Sequence, residues 1–341
     1  MGAPPLTQER GTTPERERMR FAVVEVSHSR NVVISGFGGL DGRGQRWWRR
    51  RRQDPARKAP VLLLIRDSVD VRVEHVLLQN SPFYHLVMLR SKRVLVRKVH
   101  AFSPALSVNT DGIDVLESED VSVENCVIST GDDNVAVKEG SRRVSVDGGL
   151  FSRGHGLSVG SLGEGRSTSS VTDLHLANVR FVRTSNAARI KTWQGGQGAV
   201  RNVTFDNLRV EAVGMPVVLD QFYCPASQHP DACDNSSAAV RLSQVRISRV
   251  YGWHTSGVAA MLHCAKDAPC EVAFHDLRLV GAPGCANLVR CLNVRPAPFH
   301  PAGGLAPCAA GDAMFGYRLD LSRKERRAMA QQRNNSCANP H

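Results

Sequence analysis

The chain has 341 residues, of which 42% are hydrophobic, so it has the length and the apolar material for a sizeable core. Its 29 glycines and 17 prolines exclude a collagen-like or fully disordered chain, and no apolar run reaches the length of a transmembrane helix. The formal net charge of +12 favours an anionic partner, which could be nucleic acid, an acidic membrane surface or an acidic polysaccharide.

The first twenty residues are polar and lack the apolar segment of a secretory signal peptide. We expect residues 1–30 to be a polar segment that is disordered or is a truncated start. The chain has nine cysteines, and none of them has the spacing of a zinc site. Short-loop pairs such as Cys224/Cys233 and Cys264/Cys270 therefore predict local disulfides in an oxidising compartment. Three sequons, at Asn202, Asn235 and Asn334, agree with secretion.

One sequence pattern recurs nine times along the chain. Each copy has apolar residues at alternate positions, followed by turn residues, and none shows a helical period. A unit of 23 to 30 residues cannot bury its own apolar face, so neighbouring units must stack. The pattern predicts an all-β fold, a right-handed parallel β-helix of about nine or more coils. The copies begin at Asn31, Asp70, Arg93, Asp120, Arg143, Asp173, Asn202, Gln244 and Glu271.

The repeats predict the domain organisation. We expect residues 31–285 to form the β-helix and residues 286–341 to form a Cys/Pro/Ala-rich cap with a charged tail. Trp47–Lys58 separates the first two copies and is rich in arginine. We interpret this segment as a basic loop, either solvated or in contact with a polyanion.

Four polar motifs interrupt successive coils, and their register can be checked. Asp132 follows its repeat start by 12 residues, and His155 follows the next start by the same 12 residues. The two side chains are therefore expected at one strand spacing, about 4.8 Å, from each other. A longer coil brings Asp111 to a similar phase. The motifs are Asn109-Thr110-Asp111-Gly112, Gly131-Asp132-Asp133-Asn134, Gly154-His155-Gly156 and Arg189-Ile190-Lys191.

In this order, the four motifs resemble those of glycoside hydrolase family 28, the polygalacturonases. The resemblance extends from roughly Asn31 to Cys308 and is closest to the plant-type branch. It includes the stretches GLDGRGQRWW, LLQNSPFYH and LDQFYC. The departure is a missing cysteine pair, since Asn134 and Phe151 stand where the family usually has two cysteines. We expect this loss to loosen the catalytic coil.

The resemblance implies a role for each polar residue of the site. A cluster of like charges also raises the pKa of one carboxyl, which keeps an acid protonated at working pH. No cofactor and no metal ion is expected. The implied roles are general acid for Asp132, activation of water for Asp111 and Asp133, tuning of the acid for His155, and substrate binding for Asn109, Arg189, Lys191 and Tyr223.

The function implied is inverting hydrolysis of α-1,4-galacturonide bonds in de-esterified pectin. The partner would be polygalacturonate, with no nucleic acid or membrane partner, and the protein would be a secreted monomer of the cell wall. Three alternatives stay open: a rhamnogalacturonan or xylogalacturonan hydrolase, a calcium-dependent pectate lyase, and an inactive carbohydrate-binding β-helix.

Overall fold

The computed structural model describes residues 17, 19–225, 239–296 and 314–315. Within these residues the chain winds through ten coils of a right-handed parallel β-helix, which confirms the predicted fold class. Each coil contributes one strand to each of two long parallel sheets, and three coils add a short third strand. None of the described residues forms a helix long and apolar enough to cross a membrane.

The first sheet carries the polar motifs at or just before its strands. All of its pairs are parallel except the last, between β22 and β24. The strands, numbered in chain order, are β1 (Ala22–Ser27), β4 (Val61–Arg66), β7 (Leu86–Leu89), β10 (Ile113–Leu116), β12 (Val135–Val137), β14 (Leu157–Leu162), β16 (Ala188–Trp193), β18 (Val217–Tyr223), β20 (Val258–His263), β22 (Leu288–Leu292) and β24 (Met314–Phe315).

The second sheet contains the nine predicted repeats in order, together with one further strand at its C-terminal end. Its strands are β2 (Arg30–Ile34), β5 (Val69–Glu74), β8 (Lys92–Arg97), β11 (Glu119–Thr130), β13 (Arg142–Arg153), β15 (Thr168–Val182), β17 (Gln197–Val213), β19 (Arg241–His254), β21 (Cys270–Gly281) and β23 (Val294–Pro296). The short third strands of three coils are β3 (Gly39–Asp41), β6 (Leu77–Gln79) and β9 (His100–Phe102).

A left-handed residue marks the start of almost every repeat. Eight of the nine repeat starts have φ between 51° and 60°, a region in which Asn and Asp are the best-tolerated non-glycine residues. Five of those eight are Asn or Asp. This fixed turn keeps successive coils in register, so one position of each repeat always points into the core. One such row consists of Val71, Val94, Val121, Val144, Leu174, Val203, Val245 and Val272, all of them buried.

The interpretation of Trp47–Lys58 as a loop was wrong for most of its length, because Gln45–Gln53 is an α-helix. The buried Trp48 donates its Nε1 hydrogen to the backbone oxygen of Ser81 at 2.9 Å. Arg51 lies three residues further on the same helix face and is also buried. A helix this short owes its stability to such packing rather than to a visible period in the sequence.

The ladders extend beyond both ends of the range 31–285, since β1 begins at Ala22 and β23 ends at Pro296. Cys264 and Cys270 form the predicted local disulfide. Cys224 is also disulfide-bonded. Its predicted partner Cys233, the sequons at 235 and 334, and most of the predicted N-terminal segment and C-terminal tail lie outside the described residues.

Candidate active site

The three carboxylates lie in turns that lead into neighbouring strands of the first sheet. Backbone hydrogen bonds connect these turns: the Gly112 amide donates to Asp133 at 2.9 Å, and the His155 amide donates to Asp132 at 3.1 Å. The predicted register of Asp132 and His155 is therefore present in the structure. Asp111 lies level with Asp133 rather than with Asp132, because the pairing of β10 with β12 sets Ile113 opposite Val135.

Glycine is required on both sides of His155. Gly154 and Gly156 have φ of 48° and 80°. A Cβ atom at Gly154 would lie 2.4 Å from the backbone oxygen of Asp132, and one at Gly156 would lie 2.4 Å from that of Asn186. These distances leave no room for a side chain, so the two glycines let the imidazole approach the acidic turn closely.

Asp132 receives hydrogen bonds on both carboxylate oxygens. His155 Nδ1 lies 2.9 Å from Oδ1, which also accepts from the Asp133 amide at 2.9 Å. The Asn109 side chain donates through Nδ2 to Oδ2 at 3.2 Å. Burial alone would raise the pKa of Asp132, but the charge and hydrogen bond of His155, together with Lys191 and Arg189, lower it below its ordinary value.

Asp133 is the most completely buried member of a charge cluster. Its Oδ2 lies 2.7 Å from Lys191 Nζ, and its Oδ1 accepts from Ser158 Oγ at 2.7 Å and lies 3.5 Å from Arg189 Nη1. Burial opposes its ionisation, but the charges of Lys191, Arg189 and His155 together outweigh burial and lower the pKa of Asp133. This carboxyl is therefore held ionised.

Asp111 has the opposite electrostatic environment. Burial and the neighbouring carboxylates of Asp132 and Asp114 raise its pKa well above the ordinary value. Its Oδ1 finds no hydrogen-bond partner among the described residues. The expected proton-retaining carboxyl of the cluster is thus Asp111, whereas the residue interpreted as the general acid, Asp132, is ionised in the free site. The two pKa values differ because His155, Lys191 and Arg189 act on Asp132, whereas Asp111 is buried beside other carboxylates.

Three of the four residues expected to bind substrate form one wall of the site. Arg189 and Lys191 lie on β16 with both side chains directed toward Asp133. Tyr223 ends the next strand, and its ring centroid lies 5.7 Å from Arg189 Cζ and 5.4 Å from Lys191 Nζ. Trp193 packs edge-on against this ring at 5.7 Å. All eight residues identified from the sequence are therefore gathered at one cleft.

Two residues other than cysteine, Asn134 and Phe151, stand at the positions where the family usually has cysteines. Asn134 is buried; its Oδ1 accepts from the Gly156 amide at 2.9 Å, and its Nδ2 lies 3.4 Å from the Ser152 backbone oxygen. The buried Phe151 packs edge-on against Phe181, with 5.7 Å between ring centroids. The hydrogen bonds of Asn134 thus connect the acidic turn to the turn of His155 without a disulfide, and the packing of Phe151 against Phe181 connects the coil of His155 to the following coil.

Sequence reasoning missed several charged residues that line or support the cleft. Arg51 Nη2 donates to Asn109 Oδ1 at 2.8 Å. Lys138 pairs with the buried Asp114 at 3.2 Å, and its ammonium lies 4.6 Å from the ring centroid of Tyr84. None of these residues lies in one of the four motifs. For Arg51, the sequence signal was its position three residues after Trp48, which places both residues on one face of a helix.

The side chain of His85 contacts the backbone oxygen of Asp111. It is fully buried, and desolvation lowers its pKa, so the ring is neutral. A neutral ring donates from one nitrogen only. Nδ1 lies 2.8 Å from the Asp111 backbone oxygen, and Nε2 lies 2.9 Å from Ser103 Oγ and 3.2 Å from the Phe102 backbone oxygen. The shorter carbonyl contact, to Asp111, favours the hydrogen on Nδ1, and Ser103 Oγ then donates to Nε2.

The cleft has a volume of about 430 Å³ and is open to solvent. Oxygens of Asp132 and Asp133 and a ring nitrogen of His155 lie within 4.8 Å of one another. Lys191 already supplies positive charge there, and we assign no metal ion to the site. Carboxylates facing an open, cation-lined cleft suit the cleavage of glycosidic bonds by acid and base catalysis.

The sequence model for glycosyl hydrolases family 28 matches residues 9–302, and the chain belongs to this family. The chain is 37% identical to a polygalacturonase of Juniperus ashei over 247 residues, which cover 70% of this chain and 48% of that protein. It is 32% identical to a polygalacturonase of Persea americana over 276 residues, which cover 80% of this chain and 59% of that protein. The chain thus spans about half the length of the curated relatives it matches.

Two solved structures share the fold. An endo-xylogalacturonan hydrolase from Aspergillus tubingensis superposes with a TM-score of 0.73 at 25% identity, covering 84% of this chain and 80% of that one. A polygalacturonase from Erwinia carotovora superposes with a TM-score of 0.68 at 27% identity, covering 80% of this chain and 73% of that one.

Proposed function

We propose that the protein hydrolyses α-1,4-galacturonide bonds of de-esterified pectin with inversion at the anomeric carbon. The observation that carries this proposal is the contact of Arg189 and Lys191 with Asp133, which places two cations beside an acid-base cluster. Two fixed cations suit a sugar that carries its own carboxylate. The family membership supports the same chemistry, and the relatives named polygalacturonase support the substrate.

In this proposal, Asp132 protonates the glycosidic oxygen while a water attacks the anomeric carbon from the opposite face. The bond from that carbon to the leaving oxygen breaks, and the bond to the water oxygen forms. Asp111 and Asp133 hold the water, and one of them accepts its proton. Asn109 and Tyr223 bind the sugar beside the two cations, and His155 adjusts the protonation of Asp132 through its hydrogen bond.

The ionised state of Asp132 in the free site is compatible with its role as an acid. A substrate carboxylate bound to Arg189 and Lys191 neutralises two of the three charges that lower the pKa of Asp132 and leaves that of His155. The proton retained by Asp111 can then pass to Asp132, since coupled carboxyls titrate as a pair. One such transfer produces both the protonated acid and the ionised base that the reaction needs.

A reducing-sugar assay on polygalacturonate and on highly methylated pectin, with product sizing, tests the proposal. We expect release of reducing ends from polygalacturonate, less from methylated pectin, and no unsaturated product by ultraviolet absorbance. Unsaturated product that disappears with a chelator would indicate a pectate lyase instead. Binding without any release of reducing ends would indicate a carbohydrate-binding β-helix.

A second candidate substrate follows from the structural comparison. The chain shares 25% identity with an endo-xylogalacturonan hydrolase. Parallel assays on xylogalacturonan and rhamnogalacturonan distinguish these substrates, and a higher kcat/KM on either one than on polygalacturonate would reassign the specificity.

We further propose that the protein is a secreted monomer of the cell wall. The disulfide between Cys264 and Cys270 supports an oxidising compartment. Immunolocalisation in the producing tissue tests the location, and a cytosolic signal would overturn it. Light scattering of the purified chain tests the oligomeric state.

A further inference from the structure

Arg51 differs from the other arginines of its helix. It is only 8% exposed, whereas the other four are exposed, namely Arg46, Arg49, Arg50 and Arg52. Its guanidinium carbon lies 4.7 Å from the ring centroid of Phe83. The helix thus directs one cation into the cleft and holds it there by packing.

The guanidinium fixes the orientation of the Asn109 amide. Arginine has only donors, so the atom of Asn109 that lies 2.8 Å from Arg51 Nη2 must be its oxygen. The amide nitrogen then faces Asp132 and donates to Oδ2 at 3.2 Å. Arg51 therefore determines that Asp132 meets a donor rather than an acceptor on this side.

We propose that Arg51 is a positioning residue that acts through Asn109 to set the protonation of Asp132. With Arg51 present, Asn109 donates to the carboxylate and favours its ionised form. Without Arg51, the amide can turn and present its oxygen, which favours a protonated Asp132. The assignment of Asp132 as the general acid, on which this inference rests, comes from the proposed function.

Removal of the guanidinium also removes a positive charge, which would shift Asp132 in the same direction. A double-mutant cycle separates the two effects. If Arg51 acts through Asn109, then R51A has little further effect once Asn109 is replaced by alanine. A direct effect of charge would persist in that background. The charged and titratable groups that face Asp132 and stay unchanged in these variants are Asp111, Asp133, His155, Arg189 and Lys191.

The test is a carboxyl-carbon NMR titration of Asp132 in the free protein, together with kcat and KM on polygalacturonate as functions of pH. The variants are R51A, N109A and the double variant, and R50A on the exposed side of the same helix is the matched control. We expect R51A to raise the Asp132 midpoint and to move the basic limb of the rate profile to higher pH. At the plateau of the profile kcat should fall about 10- to 100-fold, the range for losing one hydrogen bond to a charged group, because the carboxylate that forms when Asp132 gives up its proton is no longer stabilised by Asn109. R50A should match the wild type, and the double variant should match N109A.

An unmoved Asp132 midpoint in R51A, or full additivity of the two single variants, would overturn the inference. If R51A does not fold, R51M keeps the apolar stem against Phe83 while removing the donor, and the same outcomes apply to it. If the wild type does not hydrolyse polygalacturonate, the proposed function fails, whereas the titration of the free protein still decides the role of Arg51.

Discussion

Lys191 Nζ lies 2.7 Å from Asp133 Oδ2, and these side chains are only 9% and 2% exposed. A buried charge left without its partner is strongly unfavourable. Lys191 therefore stabilises the ionised Asp133 as well as lining the cleft. Arg189, at 3.5 Å from the same carboxyl, is the weaker partner of Asp133 and the freer of the two cations to bind a substrate.

This difference predicts separate effects for two alanine variants. R189A should raise KM on polygalacturonate with little change in melting temperature, whereas K191A should raise KM and also lower the melting temperature. Both KM effects should shrink on methyl-esterified pectin, which has no carboxylate to bind. Kinetics on the two substrates and thermal unfolding provide the check. Equal losses on both substrates would show that the cations act structurally.

D132N removes the transferable proton without changing the side-chain volume. General acid catalysis contributes about 10²–10⁴-fold, so kcat should fall by a factor in that range. Circular dichroism and binding of oligogalacturonate should change little. A variant that retains near wild-type kcat would refute the assignment of Asp132 as the acid.

The raised pKa of Asp111 predicts a pH-dependent cost in stability. An acid whose folded pKa lies above its unfolded value binds its proton more tightly when folded. The fold therefore loses stability as pH rises from the unfolded value toward the folded one. D111N should raise the melting temperature at neutral pH and lose this advantage below the unfolded pKa of about 3.8, while losing activity. A lower melting temperature at neutral pH would contradict the electrostatic account.

Asn134 connects the acidic turn to the turn of His155, so N134A should destabilise both. Loss of a buried hydrogen-bonding side chain costs about 1–3 kcal/mol. We expect a lower free energy of unfolding and a lower kcat, measured by urea denaturation and by the reducing-sugar assay. Unchanged values of both would mean that Phe151 and its neighbours suffice to hold the coil.

The register of the site could be predicted from the sequence because the left-handed repeat starts keep a constant phase. Asp120 and Arg143 stand opposite each other in the ladder, so the equal offsets to Asp132 and His155 became spatial neighbours. The buried row of seven valines and Leu174 follows from the same regularity.

The position of Arg51 in the cleft and the difference in pKa between Asp111 and Asp132 could not be predicted from the repeat. The helix Gln45–Gln53 is stabilised by contacts from coils that are distant in sequence, such as the one to Ser81. The pKa difference between Asp111 and Asp132 depends on which carboxyl the cations approach. The spacing of residues along the chain does not give the distance from each cation to each carboxyl.

The most direct test of the central claim is proton NMR of the first products from polygalacturonate, recorded before mutarotation. A single displacement by a water held at Asp111 and Asp133 converts the α-linkage into a β-configured reducing end. We predict that the β-anomer signal appears first and that the α-anomer grows in later by mutarotation. An initial α-anomer signal, or an unsaturated product, would contradict the account.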